Sequence, residues 1–175
     1  MLYRAHLLTG AAAGAAVVTA AHSAGWIRTW EEHLSVFGLW VVFSLLPDLD
    51  TASVTQRWFY RGVFLVLVAL LYQGRAAEAA FIGTAAILPL ISHHRGWMHT
   101  PWAAFAVPLA AFLLWDVFWR SLATGDVLSG ETLAGFARDV MTRRGLYLAS
   151  MVGGYLLHLM IDFWAPSPLR LGQLP

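Results

Sequence analysis

Six apolar segments, joined by short polar stretches, restrict this chain more than any other feature. They run roughly over 7–25, 33–46, 58–73, 77–91, 101–119 and 145–163, each bounded by charges, glycine or proline. Of the 175 residues, 59% are hydrophobic and only 12% charged, where ordinary soluble domains carry roughly 25% charged residues. So few charges cannot cover a surface in water, which sets aside a soluble all-α domain with an apolar exterior. The expected fold is all-α: a polytopic transmembrane bundle of about six short hydrophobic helices, in one domain over 1–175. Several segments fall short of the roughly 20 residues of a full span. Four to six crossings fit, six being preferred, with some segments tilted or only partly inserted. Pro47 and Pro89 should stop or kink the second and fourth helices.

The N-terminal segment resembles a signal peptide, with Arg4, a stretch rich in Ala and Gly, and small residues around Ala20–Ala24. It reads instead as a retained helix, because further apolar segments follow. Its small residues suit close packing against another helix. The longest polar stretch, 120–144, carries Arg120, Asp126, Glu131, Arg138, Asp139, Arg143 and Arg144. Within it Thr132 to Met141 fits a short amphipathic helix at the interface. Trp26, Trp30, Trp58, Trp97, Trp102, Trp119 and Trp164 lie near segment ends, as interfacial aromatics do.

The net charge is +1 and no basic run is present, so nothing points to nucleic acid. Cysteine is absent, which excludes disulfides and thiolate metal sites. Any metal must be held by His, carboxylate, backbone or water.

Ionisable residues beside apolar segments are costly, which makes them functional candidates. His6 precedes the first segment. Asp48 and Asp50 follow the second, in Pro47-Asp48-Leu49-Asp50. His93, His94 and His99 follow the fourth, and His158 and Asp162 end the sixth. If all six segments cross, the start of the first and the ends of the second, fourth and sixth share one side. Every group just named then falls on the same face. The opposite face receives 26–33, 74–76 and 120–144, with ordinary surface charges. His22 and His33 fall outside the pattern and read as non-functional.

The chemistry of the clustered residues is coherent. His158 and Asp162 are four apart and share one helix face, a spacing that presents two metal ligands together. Asp48 and Asp50 flank one residue, and in an extended turn both point the same way. His94 and His99 sit on a glycine-containing loop able to fold around an ion. Imidazole and carboxylate donors without thiolate suit zinc, manganese or iron, at one or two centres. The candidate metal ligands are His94, His99, His158, Asp162, Asp48, Asp50 and His6. His93 has the alternative of supporting a ligand from behind. Arg95 lies among these residues and could bind a phosphate or carboxylate, or equally a lipid headgroup. Thr100, just before Pro101, fits a helix cap. Taken singly, each motif also reads as a hydrogen-bonded pair or a helix stop.

His6 before an apolar glycine-containing helix, Pro47-Asp48-Leu49-Asp50 with nearby Ser53, His94-Arg95-Gly96 followed by His99, and His158 with Asp162, in that order, resemble the YdjM-like family. The resemblance covers most of the chain, from His6 to Asp162. It implies a small multi-helix protein of the bacterial inner (cytoplasmic) membrane, multi-pass, with a metal-dependent hydrolase activity. More faintly the motifs resemble the zinc-dependent phospholipase C group, which implies phosphoester chemistry by analogy. The chain departs from the family pattern at Met98, where Thr is favoured, at Thr100, where Ser is favoured, and in the tail 163–175.

The expected function is therefore a membrane-embedded metal-dependent hydrolase acting on a lipid-like or phosphoester substrate. A bound divalent ion lowers the pKa of water to about 7. Asp48 or Asp50 would act as general base, and Arg95 would stabilise developing negative charge. The partners expected are membrane lipids and an amphiphilic small molecule. Two rivals use the same residues: an ion or metal transporter, and a structural membrane protein that binds metal without hydrolysis. One-sided clustering weighs against the transporter, whose site belongs near the midplane.

Overall fold

Helix ends decide which side chains reach which end of the bundle. The computed structural model describes residues 3–50, 54–91, 97–124 and 144–164, with Gly135 and Arg138 besides. Helix α1 (Tyr3–Ser23) stops where Gly25 takes a φ of 72°. The amides of Gly25 and Trp26 then donate back to the carbonyls of His22 and Ala21, each at 2.9 Å, a left-handed glycine ending. Thr29 caps α2 (Trp30–Leu45): its hydroxyl accepts from the Glu32 amide at 3.3 Å, and the Glu32 carboxylate accepts from the Thr29 amide at 3.0 Å.

Helix α2 passes into a 3-10 turn, Leu46–Asp50. Helices α3 (Val54–Tyr72) and α4 (Ala76–Ile91) form a second hairpin, turned at Gly74. A second 3-10 turn, Trp97–His99, leads to α5 (Ala103–Thr124), and α6 (Gly145–Trp164) is the last described helix. These six helices follow the six apolar segments. No strand occurs among the described residues. Pro47 follows the end of α2, and α4 ends at Ile91, two residues past Pro89, both as expected. A proline in the last turn forfeits one amide hydrogen bond where the helix is about to end anyway. The 125–134 and 139–143 stretches, and with them most of the expected interfacial helix, lie outside the described residues.

Helix α2 packs between α1 and α6 at near-backbone distance. A Cβ added to Gly10 of α1 would lie 2.2 Å from Ser44 Oγ, and one added to Gly154 of α6 would lie 2.3 Å from the Trp40 carbonyl oxygen. Only glycine allows either approach. Small residues serve the same purpose at helix contacts in lipid, where packing rather than hydrophobicity drives association. Beyond this layer, Phe43, Phe112, Met151 and Tyr155 form an apolar core joining α2, α5 and α6.

The α3–α4 hairpin is tied in by specific bonds. Gln56 donates to the Leu49 carbonyl at 2.9 Å, which fixes the 3-10 turn, and Tyr60 donates to the Ala86 carbonyl at 2.8 Å. Phe81 stacks on Phe118 of α5 at 4.2 Å. Between this hairpin and α2 and α5 lies a cavity of about 550 Å³ with almost wholly apolar walls.

The exterior is apolar as well, with Leu8, Phe64, Leu65 and Phe163 all exposed. Three helical stretches, Ala5–Ser23, Trp30–Leu49 and Gly145–Trp164, are long and apolar enough to cross a membrane. Trp26, Trp30, Trp58, Trp97, Trp102 and Trp164 are exposed near helix ends. Trp119 is partly covered, with the Arg75 guanidinium 5.6 Å from its ring centre.

Candidate metal centre

The glycine stripes on α1 and α6 continue into ionisable residues at the same helical spacing. On α1, His6 lies one turn before Gly10. On α6, His158 lies one turn after Gly154, and Asp162 one turn further. The faces that press on α2 therefore carry His6 and His158 to the same place. Their rings stack with centroids 4.0 Å apart, and both are buried, His6 at 1% exposure and His158 at 0%.

Asp162 stands between the imidazoles. Its Oδ1 is 3.1 Å from His6 Nε2, and its Oδ2 is 3.4 Å from His158 Nε2 and 3.6 Å from His99 Nε2. Asp48 adds Oδ1 at 3.7 Å from His158 Nε2. Two sets of three donors each fall within 4.8 Å: His6, His158 and Asp162, and Asp48, His99 and His158.

One tautomer is fixed by the backbone. His158 Nδ1 lies 2.8 Å from the Ser44 carbonyl oxygen. A carbonyl can only accept, so Nδ1 carries a proton and Nε2 is the nitrogen turned toward the carboxylates. That nitrogen is buried and has no aligned hydrogen bond; the same holds for both nitrogens of His6. A second-layer partner of this kind is what ligating histidines usually have. Tyr155 plays a similar part for the other loop. Its buried hydroxyl donates to the Met98 carbonyl at 2.6 Å, which holds the 3-10 turn so that His99 faces Asp162.

The residues fit a metal on the spacing of their donors. Charge-assisted N–H···O bonds run roughly 2.7–2.9 Å. Two donors bound about 2.1 Å from a tetrahedral zinc stand roughly 3.4 Å apart. The separations here, 3.1, 3.4, 3.6 and 3.7 Å, bracket the second figure and exceed the first. His158 belongs to both donor sets, so the two sets adjoin.

Five of the seven expected ligands thus meet: His6, Asp48, His99, His158 and Asp162. Asp50 closes the 3-10 turn of Asp48, and its side chain lies outside the described residues. His93, His94, Arg95 and Ser53 also lie outside them. Thr100 takes the expected capping position, its hydroxyl accepting from the Ala103 amide at 3.4 Å and donating to the Trp97 carbonyl at 2.6 Å.

Sequence reasoning missed the supports. The Ser44 contribution is a backbone carbonyl, which no side-chain pattern announces. Gly10 and Gly14 are four apart, a small-residue spacing that could have singled out the packing face. Also missed was Asp116, buried at 3% inside the apolar α5 and paired with Arg144 at 2.8 Å. Arg144 precedes α6, at the end remote from Asp162, so that end holds a buried charge as well as surface ones.

A family model described as YdjM inner membrane protein matches residues 1–173. No curated protein and no solved structure matches the chain.

Proposed function

The chain belongs to the YdjM inner membrane protein family, and from that premise we propose that it is a multi-pass, metal-dependent hydrolase of phosphoester or lipid-like substrates. One observation carries the reading: the buried Nε2 of His158, without an aligned hydrogen bond, faces Asp162 at 3.4 Å and Asp48 at 3.7 Å. A bound cation would give that nitrogen the close partner that carboxylates at these distances do not.

His6, His99, His158 and Asp162 would hold the ion, with His94 and Asp50 as further donors; zinc fits the donor set best, manganese or iron next. When bound, the ion supplies Lewis-acid activation of water near neutral pH. The protein supplies the rest. The Ser44 carbonyl fixes the His158 imidazole, and Tyr155 holds the turn that carries His99. Asp48, which faces His158 Nε2 at 3.7 Å, accepts the proton as water attacks phosphorus. The bond from phosphorus to the ester oxygen breaks, and Asp48 returns the proton to the departing alkoxide. Arg95 would neutralise charge growing on the phosphoryl oxygens.

The test loads detergent-purified protein with zinc, manganese or iron in turn and measures release of phosphate or alcohol from soluble and lipid phosphoesters. Turnover by the wild type is expected, with Asp48→Asn binding metal but losing most of the rate. Metal binding without hydrolysis of any phosphoester, together with ion flux in proteoliposomes, would replace the hydrolase with the transporter.

A further inference from the structure

The 550 Å³ cavity plays no part in the mechanism above, yet it adjoins the metal-site residues along the backbone. Leu46 lines it, two residues before Asp48, and Met98 lines it, one residue before His99. The two 3-10 turns that present these donors are thus also walls of the cavity. Its volume lies inside the roughly 300–1,000 Å³ usual for ligand pockets. Its walls are almost wholly apolar, so nothing in it could recognise a head group.

The cavity exists because small residues stand where larger ones would close it. Ala85 on α4 and Ala106 and Ala110 on α5 face it, between Phe59, Phe81 and Trp115. It is partly open to the exterior, and the exterior of an inner-membrane protein includes the hydrocarbon of the bilayer. We propose that the cavity holds a single hydrocarbon chain of an amphiphile whose phosphoester head lies at the His–Asp cluster. The substrate class follows: a lipid phosphoester bound by its chain in the cavity and cleaved at its head. This rests on the hydrolase reading for the head and on the cavity alone for the chain.

The probe is an alkyl phosphate carrying a diazirine at the end of its chain. It is photolysed with the full-length protein in detergent or nanodiscs, and the labelled residues are read by mass spectrometry. The expected label falls on the α3, α4 and α5 walls, near Phe59, Phe81 and Ala110. Unlabelled long-chain alkyl phosphate should compete it away, and short-chain alkyl phosphate should not. Ala110→Trp and Ala85→Phe, which fill the cavity from opposite sides, should each lose the label. Their helicity and metal content, measured in the same samples, show whether the fold persists. Label confined to outward residues such as Phe64 and Leu65, uncompeted by chain length, would overturn the proposal on the wild type alone. Labelling needs neither metal nor turnover. Cavity label without any hydrolysis would sink the hydrolase and leave the chain pocket standing; hydrolysis of soluble phosphoesters without cavity label would do the reverse.

Discussion

Two histidine pairs bind α1 to its neighbours, one at each end of the helix, and they differ in what surrounds them. At one end His6 meets His158 in the interior, flanked by Asp48 and Asp162. At the other, His22 meets His33 with 3.0 Å between ring nitrogens, His22 being exposed and His33 half-buried. There His33 Nδ1 donates to the Thr29 carbonyl, and no carboxylate is paired with either ring among the described residues. The contrast teaches that adjacent imidazoles are not in themselves a site. What marks one is burial of ring nitrogens that the fold leaves facing carboxylates. The exposed pair can exchange its partners for water at little cost, whereas the buried pair cannot.

Breaking the buried pair should have the largest effect. His158→Ala and Asp162→Ala are each expected to abolish metal retention and any metal-dependent turnover, read by elemental analysis on protein shown to be helical. Next is the packing that brings the pair together. Gly154→Leu would drive a side chain into the Trp40 carbonyl, 2.3 Å from the first added atom, at a cost of roughly 1–3 kcal/mol or more. Thermal unfolding should fall and metal content with it. Gly38→Ala is the control, since nothing lies within 4 Å of its added Cβ; there the midpoint should hold or rise.

A smaller effect is expected behind the ligands. Tyr155→Phe keeps the buried ring and removes the bond to the Met98 carbonyl. Losing such an outer partner typically costs about 10–100-fold in metal affinity, and a metal titration of the variant should fall in that range. An unchanged affinity would show that the 97–99 turn does not depend on Tyr155. At the opposite end, Thr29→Ala removes the cap of α2 and should cost about 1 kcal/mol, seen as lower stability at full metal content. Smallest of all, His22→Ala and His33→Ala should change stability by no more than about 0.5 kcal/mol and leave metal content alone. Loss of metal in either would dissolve the distinction between the two ends.

The helices were legible because charge is so scarce that each polar break stands out. The cluster was legible for the same reason: His6, Asp48, His99, His158 and Asp162 sit at segment ends that parity gathers on one side. What holds them was not legible. The Ser44 carbonyl is common to every residue type, and the Tyr155–Met98 bond joins residues 57 apart in sequence. Asp116 escaped because its partner, Arg144, lies 28 residues away in a stretch that reads as surface. Pro89 was a usable stop signal, since α4 ends two residues beyond it.

The central claim is that the His6–His158 end is a metal centre and the His22–His33 end is not. The measurement is metal stoichiometry by elemental analysis after loading with zinc, manganese or iron, on wild type, His158→Ala and His22→Ala side by side. About one or two ions per chain in the wild type and His22→Ala, and none in a folded His158→Ala, is the predicted result. Equal metal in all three, or none in the wild type with any of the ions, would contradict the account and leave the cluster as a set of side chains that satisfy one another.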